Sequence, residues 1–166
     1  TTLVSDPSQA AKGSAALRSQ IAAAMPGLPF SFYEALWSDP LELVPGALPA
    51  APPTAGTGNT TLLQSGALSG IASHASLVAG QWPTAQGSSQ RQAIPAALPA
   101  SAAALLHVSA GDVLRLRDRI TNALVSFDIT GLFVPRQGAG PADSYWKLSY
   151  VPASGRSASY GSTTYG

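Results

Sequence analysis

The stretch GDVLRLRDRITNALVSFDI, residues 111–129, contains the clearest pattern in this sequence. Leu114 and Leu116 alternate with arginines, and after a polar interval the alternation resumes with Val125 and Phe127. A period of two is typical of strands that bury one face and expose the other. The stretch therefore predicts a β-hairpin with one apolar face.

The register of this hairpin follows from the same pattern. Pairing Asp118 with Ala123 across the turn places Leu114 opposite Phe127 and brings the apolar residues of both strands to one face. A shift by one residue would send every apolar side chain to the other face. We therefore expect the arginines of the first strand to lie on the opposite, solvated face.

The residues around the hairpin predict an α+β fold. A helix over residues 99–107 precedes the Gly111-Asp112 turn, because Pro is tolerated at the first helical position and the Ala/Leu run favours a helix. A second helix is predicted over residues 7–25, ended by Pro26-Gly27. We expect a single domain with a mixed or antiparallel sheet, an N-terminal helix and a helix, Gly-Asp turn and β-hairpin unit.

Weaker patterns predict the remaining elements. Strands are expected at residues 28–37, at a returning segment 41–44 and at residues 91–98, with a short helix over 67–74. Residues 45–59 are rich in Pro, Ala, Gly and Thr without periodicity, which favours a flexible surface loop. Residues 153–166 form a Ser/Gly/Tyr tract too polar to bury a core alone, and predict a polar tail or the end of a truncated domain.

Composition argues against several classes of function. The chain has a net charge of +1 and 10% charged residues, so it lacks the basic surface that neutralises several phosphates, and nucleic acid is not an expected partner. The absence of cysteine excludes disulfides, thiolate catalysis and cysteine zinc sites. No G-x-x-x-x-G-K-[ST] motif is present, so the chain carries no phosphate loop.

The candidate catalytic groups are few. A serine triad would need His74 or His107 to meet a carboxylate, and no G-x-S-x-G elbow is present. The eight acidic residues are scattered. Two combinations could be offered as general acid/base pairs: Asp39 with Glu42, and Asp112 with Asp118. Turn chemistry explains most of these residues more simply, and we predict no catalytic, cofactor or metal site.

The only basic cluster comprises Arg115, Arg117 and Arg119. A contact with lipid headgroups or with an acidic partner is one interpretation of it. A solvated strand face is the simpler interpretation, because Arg115 and Arg117 alternate with buried positions.

From residue 74 onward the order of signals resembles the ectodomains of FtsX/MacB-like ABC-transporter permeases from high-GC Gram-positive bacteria. The segments that carry the resemblance are HASLVAGQWP (74–83), PASAAALL (99–106), GDVLRL (111–116), ITGLF (129–133) and YW (145–146). The motif residues within them are Gly80, Trp82, Pro83, Gly111, Asp112, Gly131, Tyr145 and Trp146. The resemblance covers about half of the chain.

This resemblance implies a non-catalytic domain on the extracytoplasmic side of the cell membrane, of the MacB-like periplasmic core type. It implies membrane helices outside the present sequence, which a cytoplasmic ATPase subunit drives to export a lipid or peptide substrate or to act on an extracellular protein. The alternatives are a secreted or surface-attached binding module of small β-barrel type and, less favoured, a hydrolase.

The motif residues have physical roles that are separate from the resemblance. Gly80 and Gly111 are expected where the backbone needs a conformation or a close approach that a Cβ atom would hinder. Trp82 is expected to bury a large apolar area, and Pro83 to fix the following turn. We predict structural rather than ligand-binding roles for the motif.

Overall fold

The computed structural model describes residues 7–44, 60–84, 93–136, 144–148, 156–159 and 162–165. The helices are α1 (Pro7–Ala24), α2 (Ile71–His74), α3 (Ala100–Leu106) and a 3-10 helix (Ser144–Leu148). The strands are β1 (Ala35–Trp37), β2 (Leu41–Leu43), β3 (Thr60–Leu63), β4 (Gly66–Leu68), β5 (Ala75–Gly80), β6 (Ile94–Pro99), β7 (Val113–Arg117), β8 (Leu124–Pro135), β9 (Arg156–Ser159) and β10 (Ser162–Tyr165). The predicted loop at residues 45–59 lies outside the described residues.

The chain divides into two compact units, Thr1–Glu34 and Ala35–Gly166. The first contains α1, which matches the predicted N-terminal helix to within one residue at its end. In this unit the guanidinium carbon of Arg18 lies 5.0 Å from the centre of the Phe32 ring, a cation–π distance. The second unit contains every described strand and the two shorter α-helices.

The strands form a mixed sheet. Strands β1 and β4 pair as a small antiparallel sheet, and the other described strands form a sheet in the order β5-β8-β7-β2-β3-β10-β9, with β6 also paired to β8. Two pairings, β6 with β8 and β3 with β10, are parallel, and the rest are antiparallel. The predicted α+β class and mixed sheet are confirmed.

Strand β8 holds this sheet together. It is 12 residues long and pairs with β5, β6 and β7. Phe127 and Asp128 pair with β6 and β7 at once, while Leu132 and Phe133 pair with β5 and β6 at once. Between residues 127 and 133 the strand therefore has pairing partners on both edges, as the middle of a sheet requires.

The hairpin that the sequence predicts is confirmed, with its register. Leu114 pairs with Phe127 and Leu116 with Val125, and the amide of Asp118 donates to the carbonyl of Ala123 at 2.9 Å. The burial of β7 alternates strictly between exposed and buried residues. Its arginines lie on the exposed face, as expected from the period of two.

The Gly-Asp turn connects α3 to the hairpin and also bonds to β8. The amide of Gly111 donates to the carbonyl of Ile129 at 2.7 Å, and the amide of Ile129 donates to the carbonyl of Asp112 at 2.9 Å. The carboxylate of Asp112 accepts from the amide of Ser109 at 2.8 Å. Gly111 has φ +99°, a conformation that favours glycine, so its predicted role is confirmed.

The main core lies between α3 and the sheet. Ala102, Ala103 and Leu106 on α3 are buried in one cluster with the apolar faces of β7 and β8. The buried members of this cluster are Leu41, Leu63, Leu98, Ala102, Ala103, Leu106, Val108, Leu114, Leu116, Phe127 and Ile129. The helix, turn and hairpin therefore share one core, as predicted.

Three predicted elements differ in the structure. The expected strand over residues 28–37 is regular only at β1, and the expected returning strand β2 pairs with β3 and β7 instead of β1. The expected helix over residues 67–74 is divided, because Gly70 adopts φ +74° before α2. The residues before Gly70 form β4, which pairs with β1.

The predicted polar tail also differs. Within residues 153–166, the segments β9 and β10 form an antiparallel pair, and β10 pairs in parallel with β3. Backbone hydrogen bonds join these segments to the sheet, so the pairing does not need the apolar side chains whose absence suggested a tail.

The turn of the hairpin depends on Asp118. Its Oδ1 atom accepts from the amides of Ile120 at 2.7 Å and Thr121 at 3.0 Å. These two hydrogen bonds lower the pKa of Asp118 below its ordinary value, and the bond from the amide of Thr121 has the larger effect. Asn122 in the same turn has φ +59°, which asparagine tolerates better than most residues.

We expect Leu114→Ala to lower the free energy of unfolding by about 2–5 kcal/mol, because Leu114 is 1% exposed in the main core. Leu124→Ala is the matched control on the same hairpin: Leu124 is 66% exposed, so a change within about 0.5 kcal/mol is expected. Urea denaturation measures both. Equal losses would contradict the register.

We also expect the pH dependence of stability to reveal the Asp118 carboxylate. Its pKa is lower in the folded state, so its contribution is complete above the unfolded pKa of about 3.9 and is lost as the pH falls through the folded pKa. Asp118→Asn keeps an oxygen acceptor but removes this titration. The difference in unfolding free energy between the two proteins should therefore shrink as the solution is acidified, and a carboxyl NMR titration giving an ordinary pKa would refute the assignment.

Candidate functional site

Gly80 and Gly131, two of the motif residues, pair with each other between β5 and β8. Gly80 has φ +67°, and a Cβ atom there would collide with the carbonyl oxygen of Thr130. A Cβ atom at Gly131 would crowd the carbonyl of Gln81, whose amide donates to the carbonyl of Thr130 at 2.9 Å. The close approach predicted for Gly80 is confirmed, and Gly131 shares it.

The aromatic motif residues pack around Phe133 of β8. The ring centres of Trp82 and Trp146 lie 5.7 Å and 6.4 Å from that of Phe133. Tyr145 meets Trp146 edge-on at 5.3 Å, and the ring of His74 stacks on Tyr145 at 3.9 Å with an interplanar angle of 3°. We call these five residues the aromatic cluster. Its T-shaped and stacked geometries are those that aromatic rings favour.

Burial within the aromatic cluster is uneven. Tyr145 and Trp146 are 1% and 8% exposed, whereas Trp82 is half-buried and Pro83 is exposed. Trp82 therefore buries less area than the sequence predicts, and the 3-10 helix supplies the deeply buried aromatic pair. A 3-10 helix of five residues is too short to give a periodic signal that would reveal this burial.

Hydrogen bonds hold the neighbouring segments to this cluster. The hydroxyl of Tyr145 donates to the carbonyl of Ser69 at 3.0 Å, and the indole nitrogen of Trp37 donates to the carbonyl of Leu148 at 3.0 Å. The guanidinium of Arg136 donates to the carbonyls of Ala75 and Ala72 at 3.1 Å and 3.0 Å. Each bond closes a contact between segments far apart in sequence.

The indole nitrogen of Trp146 is buried without a hydrogen-bond partner among the described residues. An unpaired buried donor of this kind costs about 1–3 kcal/mol. The ring nevertheless remains buried, which indicates that the packing energy of the aromatic cluster outweighs this cost.

The two histidines occupy different places and do not share a site. His74 lies at the end of α2 with its ring face against Tyr145. His107 is exposed and ends α3 in a left-handed conformation, with φ 55°.

One of the two acidic pairs suggested by the sequence is far apart in the structure. Asp112 and Asp118 lie at opposite ends of β7, a separation of about 20 Å for a strand of this length. Both carboxylates accept backbone amides in turns. Asp39 is exposed, and Glu42 pairs across the sheet with Arg117. The described part of the chain holds no group of three or more potential metal ligands.

A groove lies at the side of β8 that faces away from the main core. Gln81, Trp82, Pro95, Val113, Asp128 and Thr130 line it, and its volume is about 290 Å³. Of these residues only Trp82 was singled out from the sequence. The sequence pattern that could have predicted Asp128 and Thr130 is the alternation of β8: both residues lie between buried positions, which places them on the outer face of the strand.

Comparisons with protein-family models, with curated proteins and with solved structures give no match to this chain. Among the described residues, no helix is both long and apolar enough to cross a membrane.

We expect Trp146→Ala to cost about 3–5 kcal/mol of unfolding free energy, the range for emptying a buried aromatic site. Trp82→Ala should cost clearly less, because the Trp82 ring is half-buried and contacts Phe133 from the rim of the groove. Thermal denaturation of the two variants side by side checks the order. A larger loss for Trp82→Ala would contradict the uneven burial of the aromatic cluster.

Proposed function

We propose that this chain is a non-catalytic extracytoplasmic domain of an FtsX/MacB-like ABC-transporter permease, which works by binding and by mechanical coupling. The proposal joins the sequence resemblance to the positions of its motif residues in the fold. In this reading a cytoplasmic ATPase subunit drives membrane helices, and their motion is passed to the domain outside the cell.

The observation that carries the proposal is that most of the motif residues are fastened to β8. Gly80 pairs with Gly131 of that strand, and the Gly111-Asp112 turn bonds to Ile129 of the same strand. The aromatic motif residues pack around Phe133, further along β8. A motif that builds a frame in this way has a structural purpose, as expected for a domain that transmits movement.

The ionisable groups of the motif and its surroundings support a non-catalytic role. Asp112 and Asp118 are engaged with turn amides, and His74 has its ring face against an aromatic neighbour. A general acid or base needs a reactive atom directed at a substrate and a partner that orients it. The two carboxylates instead stabilise the local backbone of their turns.

Mechanical coupling needs a body that moves as a unit. The pairing of β8 with three strands and the main core beneath α3 favour such a body, because the hydrogen-bonded ladders and the packed side chains resist deformation. The ATPase would act by shifting the balance between two arrangements of the membrane helices, each of which carries the domain to a different position.

A secreted or surface-attached binding module is the second candidate. The groove beside Trp82 favours it, since a cavity of about 290 Å³ with an aromatic rim and polar floor is a binding feature whether or not the domain belongs to a transporter. The two candidates differ in their membrane segments, because the permease requires apolar stretches of about 20 residues on either side of this domain in the complete gene product.

The decisive experiment is deletion of residues 35–166 from the intact transporter, followed by an assay of ATP-dependent transport in membrane vesicles. We expect ATPase subunit binding to persist and transport to be lost. Leu124→Ala in the intact transporter is the matched control, because that side chain is 66% exposed and its removal should leave the domain folded.

Three results would contradict the proposal. Undiminished transport after the deletion would exclude a coupling role, and soluble stretches on both sides of the domain in the gene product would exclude the permease. Turnover of a substrate by the purified domain would overturn its non-catalytic character.

A further inference from the structure

The floor of the groove is the outer face of β8. Phe127 and Ile129 are buried in the main core, so Asp128 and Thr130 between and beyond them lie on the opposite side of the strand. Asp128 pairs with Val113 of β7 on one side and with Pro95 of β6 on the other. The backbone of Asp128 therefore lies between two strands, and its side chain projects from the outer face of the sheet.

The polar atoms of this floor are hydrogen-bond acceptors. The hydroxyl of Thr130 donates its hydrogen to the carbonyl of Ala96 at 3.2 Å, which leaves its lone pairs to accept. When it is ionised, the carboxylate of Asp128 can accept hydrogen bonds but cannot donate them. It forms no hydrogen bond or ion pair with any residue that the structure describes. A complementary ligand must therefore supply N–H or O–H donors.

The charge and the shape of the groove restrict the range of possible ligands further. A carboxylate that is not paired with a cation among the described residues favours a positively charged ligand. The half-buried indole of Trp82, which also lines the groove, offers an aromatic face to a cation. A guanidinium group meets both needs, because it is flat enough to stack on an aromatic ring and presents paired donors to a carboxylate. The volume of about 290 Å³ suits one side chain and little more.

We propose that this groove binds an arginine side chain of a partner peptide or protein, with Asp128 and Thr130 accepting from the guanidinium and Trp82 covering its face. This site goes beyond the proposed transporter role and does not depend on it. It commits the domain to a partner that presents an arginine.

Among the residues that the structure describes, Arg115 is a cation on the same face as Asp128. It follows Val113 by two residues on β7 and pairs across the hairpin with Ser126, so it lies diagonally from Asp128. Diagonal positions on a sheet are about 7–8 Å apart at Cα, within reach of an arginine side chain. Arg115 is therefore the internal competitor that the experiment has to exclude.

The test is an NMR titration of the full 166-residue chain with N-acetyl-arginine amide, observed through backbone amides and tryptophan indoles. Binding with a Kd on the order of 1 mM is expected for a single side chain, with the largest shifts at Gln81, Asp128 and Thr130 and at the Trp82 indole. N-acetyl-citrulline amide has the same shape without the charge, and should bind at least about tenfold more weakly. N-acetyl-lysine amide should also bind more weakly, because an ammonium group cannot stack or donate as a pair.

Three variants locate the site. Asp128→Asn should weaken arginine binding by about tenfold and Thr130→Val by roughly threefold, while Arg115→Gln should leave the Kd within about twofold. The amide spectrum of each variant shows whether it is folded. If Asp128→Asn does not fold, the affinity of Thr130→Val for arginine tests the proposal instead. The proposal would be overturned if the citrulline or lysine compound bound as tightly as the arginine compound, or if the folded Asp128 and Thr130 variants bound arginine unchanged. It would also be overturned if the chemical-shift changes were confined to another surface, or if Arg115→Gln raised the affinity for arginine tenfold.

Discussion

The hydrogen bonding of β8 along both edges is the constraint on which the rest of this structure depends. Strands β5 and β6 pair with the same residues of β8, and the chain that leaves β5 passes close to the backbone of β8. Glycine at positions 80 and 131 leaves room for this close passage, because a Cβ atom at either position would collide with the neighbouring backbone. Both cores are built on the same strand: Phe127 and Ile129 belong to the main core, and Phe133 belongs to the aromatic cluster. Loss of this close passage would disturb both cores together.

The same arrangement explains where binding chemistry is found. Ionisable residues near turns, such as Asp112 and Asp118, are engaged with backbone amides and have little left to offer a ligand. Asp128 differs because it lies between two paired strands, with its carboxylate on the outer face. In this domain the middle of the sheet, more than its turns, provides the exposed acceptor.

The sequence predicted the elements whose signal is local. The hairpin register followed from the alternation of Leu114, Leu116, Val125 and Phe127, and the Gly-Asp turn followed from its position between helix and hairpin. The sequence could not predict which strands pair with β2, or that β9 and β10 are strands. Short or polar segments become strands through backbone pairing with segments far away in the chain. The groove was missed for the same reason: β6 brings Pro95 to Asp128 from more than 30 residues away, in a parallel pairing that no local pattern announces.

The parallel pairing of β3 with β10 has a consequence for how this protein is made. The two strands are about 100 residues apart in the chain, so their pairing closes a long loop and is among the slow steps of folding. On the ribosome, β3 would emerge well before β10. Until β10 pairs with it, the edge of β3 and the side chains of Leu62 and Leu63, which are buried in the finished fold, can contact other strands. During that interval the nascent sheet has an open edge, which makes aggregation a hazard of synthesis even though the finished fold covers that edge.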